Sequence, residues 1–216
     1  MKVITSYLDC LPAHLSPEIS KLLSHRLTHL DEISENLSLE TDFKIKCPSL
    51  VKVLLGSDFI YRSIIAKPEL IRQLLDSTSI NNPRSYSYIR DAIGGIEGSK
   101  IDISLKLREV RQLEIIRIGW RDLAGLATLP EVVSTVSALA DAAIQKALDC
   151  ALKQVTDLHG QAVGESTGKP VNLTILGLGK LGGNELNLSS DVDLIFCYLD
   201  NGKTDGERSI SNHEYF

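Results

Sequence analysis

The sequence has few aromatic residues and no long apolar run. Aromatic side chains make up 5% of its 216 residues, whereas hydrophobic types together make up 43%. A core of this composition is aliphatic, which is typical of packed helices. The chain has no 18-residue apolar stretch, and its first residues lack the basic region and apolar core of a signal peptide. We therefore expect a cytoplasmic protein that does not bind a membrane.

Cysteine and positive charge are also scarce. The four cysteines lack Cys-x-x-Cys spacing, so neither a disulfide framework nor a zinc site is indicated; they are Cys10, Cys47, Cys150 and Cys197. The 28 acidic residues outnumber the 23 basic ones, and the net charge is −5. Because nucleic-acid binding requires a basic face, this balance predicts no nucleic-acid partner. The histidines show no pairing pattern and are interpreted as surface or cap residues.

Up to about residue 160 the helix start and stop signals predict a mostly helical domain. Ser16-Pro17-Glu18 offers an N-cap, a proline at the first helical position and an early acid. Pro48 is expected to start a helix that ends at Gly56, and Ser57 to cap the next one. Thr128 to Glu131 fits a capping box that opens a long helix to about His159.

The segment from about Ser104 to Leu123 predicts a helix that is apolar on all sides. Such a helix is normally buried, yet this one also carries Arg117 and Arg121, and buried charges must be paired. Two interpretations remain open. The arginines pair with nearby acids, for example Arg117 with Glu114, or they approach the phosphates of a nucleotide site.

Glycine, serine, threonine and proline concentrate in residues 161–170, which predicts a linker between two domains. The expected division is a helical domain over 1–160, the linker, and an incomplete second domain over 171–216. That second domain gives the chain an α+β part.

The segment 171–198 reads as an apolar strand, a glycine-rich turn, a short helix and a second strand that opens with Asp191 and Asp193. Side chains two apart on a strand point to the same face. Neighbouring carboxylates repel each other unless a cation lies between them. Beside a turn whose backbone amides can face a phosphate, this arrangement predicts a metal-dependent nucleotidyl-transfer site.

Two other interpretations fit the glycine pattern. Gly177, Gly179 and Gly182 form Gly-x-Gly-x-x-Gly, and Asp200 lies at a suitable distance for a dinucleotide ribose. However, only eight residues separate Gly182 from Asp191, which is short for a crossover between parallel strands. The remaining interpretation is a hairpin-like unit whose acids simply face solvent.

The residues GLGKLGGNELNLSSDVDLIF resemble the nucleotidyltransferase signature of the glutamine synthetase adenylyltransferase family. Members of this family attach AMP to a tyrosine of glutamine synthetase and remove it, and they belong to the DNA polymerase beta superfamily. Gly179-Lys180, ten intervening residues and the Asp191-x-Asp193 pair match the superfamily spacing. Residues 56–75, 107–126 and 136–148 resemble the family's N-terminal, adenylyl-removing half. The resemblance therefore implies an N-terminal helical bundle followed by the start of a polymerase-beta-like domain.

The resemblance also implies the site. Asp191 and Asp193 would be the catalytic residues and would hold two Mg²⁺ ions. The phosphate-binding turn would comprise Gly179, Lys180, Gly182, Gly183 and Ser190. The implied reaction is phosphorolysis of adenylyl-tyrosine on glutamine synthetase, in which inorganic phosphate attacks and ADP forms; ADP and ATP are thus implied ligands, and a PII-type signalling protein is an implied regulatory partner.

The family takes a third metal carboxylate from a later strand, so we expect this chain alone to be inactive. A different class of function also remains open. The chain could be a non-catalytic helical module that binds a protein partner and retains the motif as a remnant. The intact pair of acids favours the enzyme.

Overall fold

The structure is a computed structural model, and it describes residues 15–34, 48–76 and 80–216. Cys10, Cys47 and His14 lie outside the described residues. The chain divides into two compact units. Unit 1 comprises Met1–Arg84 and Glu109–Val132, and unit 2 comprises Ser85–Arg108 and Val133–Phe216.

The described chain is mostly helical, with a few short antiparallel strands, as the sequence predicts for the fold class. Up to the glycine-rich segment its helices are α1 (Pro17–Ser34), α2 (Pro48–Gly56), α3 (Asp58–Ala66), α4 (Glu69–Asp76), α5 (Tyr86–Gly94), α6 (Lys100–Ala124) and α7 (Leu129–His159). The helix starts predicted at Ser57 and Thr128 are confirmed by side-chain caps. The Ser57 hydroxyl accepts the backbone N–H of Ile60 at 3.2 Å, and that of Thr128 accepts the N–H of Glu131 at 3.4 Å.

Unit 1 has an aliphatic core with one buried tryptophan. Leucine and isoleucine side chains from α1 to α4 pack with Ile116 and Trp120 of α6. The Trp120 indole N–H donates to the Ser49 hydroxyl at 2.8 Å, which satisfies the one polar group of that ring. The few aromatic residues of the sequence are thus consistent with a core built from branched aliphatic side chains.

Helix α6 differs from its sequence-based prediction. It begins at Lys100 rather than near Ser104, and its continuous buried stretch covers only residues 114–121. In the first half, Ile101 is 71% exposed and Leu105 is 52% exposed. The all-round apolar pattern identified the buried stretch, but burial also depends on which neighbours pack against a helix. Residues 100–108 of α6 belong to unit 2, and residues 109–124 belong to unit 1.

Unit 2 contains two small antiparallel sheets. Its strands and short helices are β1 (Ala162–Gly164), β2 (Thr174–Gly177), α8 (Gly179–Gly182), β3 (Leu194–Cys197), β4 (Gly202–Thr204) and α9 (Asn212–Tyr215). Strand β1 pairs with β4, and β2 pairs with β3. Fully buried Ala162 of β1 packs with Val171 and Tyr215 in a small core.

The residues predicted as a linker, 161–170, therefore include a paired strand. Val163 lies opposite Lys203, and it also bridges to Pro170. Composition missed β1 because its residues, Ala162 to Gly164, are small and few. The predicted separation of two domains at this segment stays a prediction.

The antiparallel pairing of β2 and β3 excludes the dinucleotide-binding interpretation, which requires parallel strands. The Asp200 carboxylate is also engaged elsewhere. It accepts the backbone N–H groups of Ser166 and Thr167, each at 3.2 Å. Asp200 thus organises the turn after β1.

The structure of unit 2 differs from two further predictions, which concern the short helix and the start of the second strand. The short helix does not follow the glycine-rich turn but is formed by it, as α8, and residues 183–193 contain no helix. Strand β3 begins at Leu194, so the two acids immediately precede it. The helix start predicted near the end is confirmed, because Ser211 and Glu214 form a capping box at α9.

Candidate active site

The two candidate catalytic acids lie at the entrance to β3, beside the glycine-rich turn. The carbonyl oxygen of Asp193 accepts the backbone N–H of Leu178 at 2.9 Å, which continues the β2–β3 ladder by one bond. The side chains of Asp191 and Asp193 are both exposed. The ladder thus holds one acid directly opposite the residue that precedes Gly179.

The turn itself depends on glycine at two positions. Gly179 has a φ of +54°, in the left-handed region where a Cβ is unfavourable. At Gly182 the reason is a close approach, because a Cβ would lie 2.5 Å from the carbonyl oxygen of Gly177. Any side chain there would push α8 away from the end of β2.

Helix α8 ends in a Schellman motif that the sequence analysis did not identify. The backbone N–H of Asn184 donates to Leu181 at 3.0 Å, and that of Glu185 donates to Lys180 at 2.8 Å. Asn184 takes the left-handed conformation at the centre of this motif, with a φ of 56°. Asparagine is one of the few residues besides glycine that adopts this conformation readily. The motif reverses the chain toward the acids.

The structure brings two of the predicted phosphate-binding residues to one acceptor. The side-chain oxygen of Asn187 accepts from the Lys180 ammonium at 3.1 Å and from the Ser190 hydroxyl at 2.5 Å. Asn187 is not among the site residues predicted from the sequence. The only indication in the sequence is that Asn187 lies within the motif, three residues before Ser190 and four before Asp191.

A buried anchor fixes the loop that carries Asn187. The Leu186 side chain is buried, and its backbone N–H donates to the Ser137 hydroxyl of α7 at 3.0 Å. Ser137 in turn donates to the Val133 carbonyl at 2.9 Å. This contact spans 49 residues of sequence, so local pattern gave no indication of it.

The two faces of the hairpin have different surroundings. Alternation along the strands places Leu176, Leu178 and Ile195 on the face of Asp193, and all three are exposed. The other face, with Ile175 and Leu194, lines a groove of about 940 Å³ against α5 and α7. Partial burial in this groove raises the pKa of the Asp141 carboxyl above its usual range. Neither Asp191 nor Asp193 lines the groove.

The arginines of α6 pair within unit 1, which supports the structural interpretation. The Arg117 guanidinium is fully buried and donates to Glu114 at 2.9 Å; Glu114 also pairs with Arg84. Arg121 donates to Glu131 at 2.9 Å. Because both guanidinium groups are engaged by carboxylates, the structure gives no support to a phosphate-binding role for them.

The donor chemistry of the site fits Mg²⁺. Asp191 and Asp193 provide carboxylate oxygens, which are the protein ligands that this hard cation prefers. Within residues 15–34, 48–76 and 80–216, no group of three or more histidine, cysteine or acidic side chains is placed to hold a metal ion.

The two described cysteines, Cys150 and Cys197, are free thiols. In the described part of the chain no helix has the length and apolar character needed to span a bilayer.

Comparison with known proteins agrees with the motif. Residues 47–216 match the family described as glutamate-ammonia ligase adenylyltransferase. Proteins named bifunctional glutamine synthetase adenylyltransferase/adenylyl-removing enzyme are similar to the chain. The one from Chromobacterium violaceum is 44% identical over 164 residues, 74% of this chain and 18% of that protein. Those from Nitrosococcus oceani and Thioalkalivibrio sulfidiphilus are 37% and 34% identical over 90% and 97% of this chain, and over 20% and 21% of their own lengths.

The relatives are all named as adenylyltransferases, a kind of nucleotidyltransferase, which is the class of enzyme that the sequence motif resembles. The chain belongs to the glutamate-ammonia ligase adenylyltransferase family. It spans about a fifth of the length of the curated relatives described above.

Proposed function

We propose that this chain carries the first part of an adenylyl-removing active site that acts on adenylylated glutamine synthetase. The observation that carries the proposal is the hairpin register. It holds Asp193 opposite Leu178, directly before the glycine-rich turn, with the Asp191 and Asp193 carboxylates exposed. The relatives are named for both adenylyl transfer and adenylyl removal; resemblance of residues 56–75, 107–126 and 136–148 to the N-terminal half favours removal here.

In the proposed reaction, inorganic phosphate attacks the phosphorus of the AMP group on a tyrosine of glutamine synthetase. The bond from phosphorus to the tyrosine oxygen breaks, the tyrosine takes a proton, and ADP is released. Asp191 and Asp193 would hold Mg²⁺, which when bound neutralises charge on the phosphoryl groups. The protein contribution would be to fix these carboxylates beside a turn whose backbone N–H groups and Lys180 would bind anionic ligands.

The site is proposed to be completed by a third carboxylate from outside these residues. With two of three ligands, charge neutralisation and positioning are both weakened, and each effect can be worth several kcal/mol in a metal site. The 216-residue chain, incubated with adenylylated glutamine synthetase, phosphate and Mg²⁺, is therefore expected to release no ADP. Turnover by the chain alone would show that all ligands lie within it.

The decisive experiment changes Asp191 or Asp193 to asparagine in a protein of the relatives' full length that carries this chain. Each change keeps the shape of the side chain and removes one negative charge. We expect phosphorolysis to slow by orders of magnitude and Mg²⁺ to bind more weakly, because each substitution removes a negative charge that would hold the metal ion. Folding should survive, since repulsion between neighbouring carboxylates is relieved.

A matched control is Asp205→Asn. This aspartate also lies in unit 2, but it is outside the motif, and its carboxylate accepts the Gln161 backbone N–H at 2.6 Å. The control is expected to retain ADP release. Full activity in Asp191→Asn would instead mean that the acids are a surface feature, and the non-catalytic, partner-binding module would become the better hypothesis.

A further inference from the structure

Asn187 occupies a central position in the candidate site although it is neither an acid nor part of the glycine turn. We infer that Asn187 is a positioning residue that directs the Lys180 ammonium toward the phosphate groups of a nucleotide or toward inorganic phosphate. The inference rests on the proposed function. It assigns a role to a side chain that the motif alone did not select.

The orientation of the Asn187 amide supports this role. A lysine ammonium can only donate hydrogen bonds, so the atom that faces Lys180 at 3.1 Å must be the amide oxygen. That oxygen has a second lone pair, which accepts the Ser190 hydroxyl at 2.5 Å. The Ser190 hydroxyl donates its only proton to Asn187 and thereby fixes the amide.

The neutral charge of the Asn187 side chain also suits a positioning role. An amide oxygen is neutral, so it restrains the lysine side chain without cancelling its positive charge. A carboxylate at the same place would form an ion pair and would repel an approaching phosphate. Lysine has a long, flexible side chain, and holding it in place before binding lowers the entropy lost when an anion binds.

Asn187 is itself held in place by a contact from outside the hairpin. Leu186, the residue before Asn187, is buried and tied through its backbone N–H to Ser137 of α7. On the other side, the Ser190 backbone N–H donates to the Asn187 carbonyl at 3.1 Å. Asn187 is thus fixed on both sides, as a residue that positions another side chain has to be.

A double-mutant cycle tests the inference in a full-length protein that carries this chain. The variants are Asn187→Ala, Lys180→Met and the pair together, with dissociation constants measured by calorimetry for inorganic phosphate and for ADP in the presence of Mg²⁺. Loss of one hydrogen-bond acceptor is expected to weaken binding roughly three- to tenfold in Asn187→Ala. In the Lys180→Met background the same change is expected to have no effect, because Asn187 acts through the ammonium.

The outcomes are distinguishable. A loss of equal size with and without Lys180 would overturn the inference, because a purely structural role of Asn187 weakens binding in both backgrounds. Failure of the unmutated protein to bind either ligand would overturn the proposed function together with the inference. A loss confined to phosphate assigns Lys180 to the attacking phosphate, and a loss confined to ADP assigns it to the nucleotide; either result supports the positioning role.

Two more variants sharpen the test. Asn172→Ala removes another exposed asparagine next to β2 and is expected to bind both ligands like the unmutated protein. Asn187→Asp keeps the acceptor but adds a negative charge, so it is expected to weaken binding at least as much as alanine does. Tighter phosphate binding by Asn187→Asp would contradict the charge argument.

Discussion

Adjacent glycines in the turn differ in what surrounds them. A Cβ at Gly182 would lie 2.5 Å from a backbone oxygen, which cannot move without displacing β2. A Cβ at Gly183 would meet only the flexible side chain of Glu185, at 3.2 Å, and Gly183 has a φ of −83° that any residue adopts. The same residue type is therefore required at one position and replaceable at the next.

This difference predicts the behaviour of two alanine variants. Gly182→Ala is expected to lower the free energy of unfolding by about 1–3 kcal/mol through overpacking. Gly183→Ala should change it by less than about 0.5 kcal/mol, as is usual for exposed positions. Denaturant unfolding of both variants, with hydrogen exchange of the β2 and β3 amides, measures the effect. Equal losses in both would contradict the assignment of the close approach to Gly182.

A pH dependence is expected at the start of α6. Hydrogen bonds from the Ser99 hydroxyl and backbone N–H hold the pKa of Asp102 below its usual range. A lowered pKa in the folded state means that ionised Asp102 contributes stability above the ordinary aspartate pKa. This contribution is lost as the pH falls through the lowered pKa.

The Asp102→Asn variant isolates this contribution. We expect the unfolding temperature of the unmutated protein to exceed that of the variant at neutral pH. The difference should shrink as the pH falls through the lowered pKa, because Asp102 becomes neutral like asparagine. Thermal unfolding of both proteins across acidic pH measures it. A difference that stays constant with pH would show that the ionised carboxylate is not the stabilising group.

At the scale of elements, the part of α6 that belongs to unit 1 is held there by charges as well as by apolar packing. Glu114 pairs with Arg117 and Arg84, and these three side chains are largely or fully buried. Removing one partner of a buried ion pair is far more costly than removing an exposed one, because the remaining charge stays in a medium of low polarity.

We therefore predict that Glu114→Gln lowers the free energy of unfolding by about 3–5 kcal/mol. The matched control is Asp91→Asn, which removes the carboxylate of the exposed Arg90–Asp91 pair at 2.9 Å. That change should cost less than about 1 kcal/mol. Denaturant unfolding of the two variants compares them directly. A small loss in Glu114→Gln would mean that neutral hydrogen bonds suffice for the buried arginines.

On the scale of the whole molecule, stability and chemistry are carried by different residues. The helices supply the buried apolar surface, whereas Asp191 and Asp193 are exposed. Val136 of α7 is buried in unit 2. Its burial stabilises the fold, and Val136 is not one of the candidate site residues.

Val136→Ala is accordingly expected to lower the free energy of unfolding by about 1–3 kcal/mol and to leave Mg²⁺ affinity unchanged. Asp191→Asn is expected to lower Mg²⁺ affinity without lowering the free energy of unfolding. Unfolding and Mg²⁺ titration of both variants, in a full-length protein that carries this chain, separate the two roles. Loss of Mg²⁺ affinity in Val136→Ala would show that core packing near α7 also sets the geometry of the acids.

The helical part of the fold was predictable to a large extent because its signals are local. Proline at Pro17 and Pro48, hydroxyl caps at Ser57 and Thr128, and glycine at Gly56 act on the backbone within one turn. Strands were harder, since β1 and β4 are three residues each and pair across about 40 residues of sequence. A strand that short has no periodicity to recognise.

By itself, the sequence determined the family, the mostly helical class and the candidate acids, because a motif and a capping signal are properties of neighbouring residues. Only the tertiary structure decided which charged groups are buried in pairs, that β2 and β3 run antiparallel, and that Asn187 joins Lys180 to Ser190. These features depend on contacts between residues far apart in the chain, such as the one between Leu186 and Ser137. The free energy of such contacts depends on the packing of the folded chain, which local pattern does not encode.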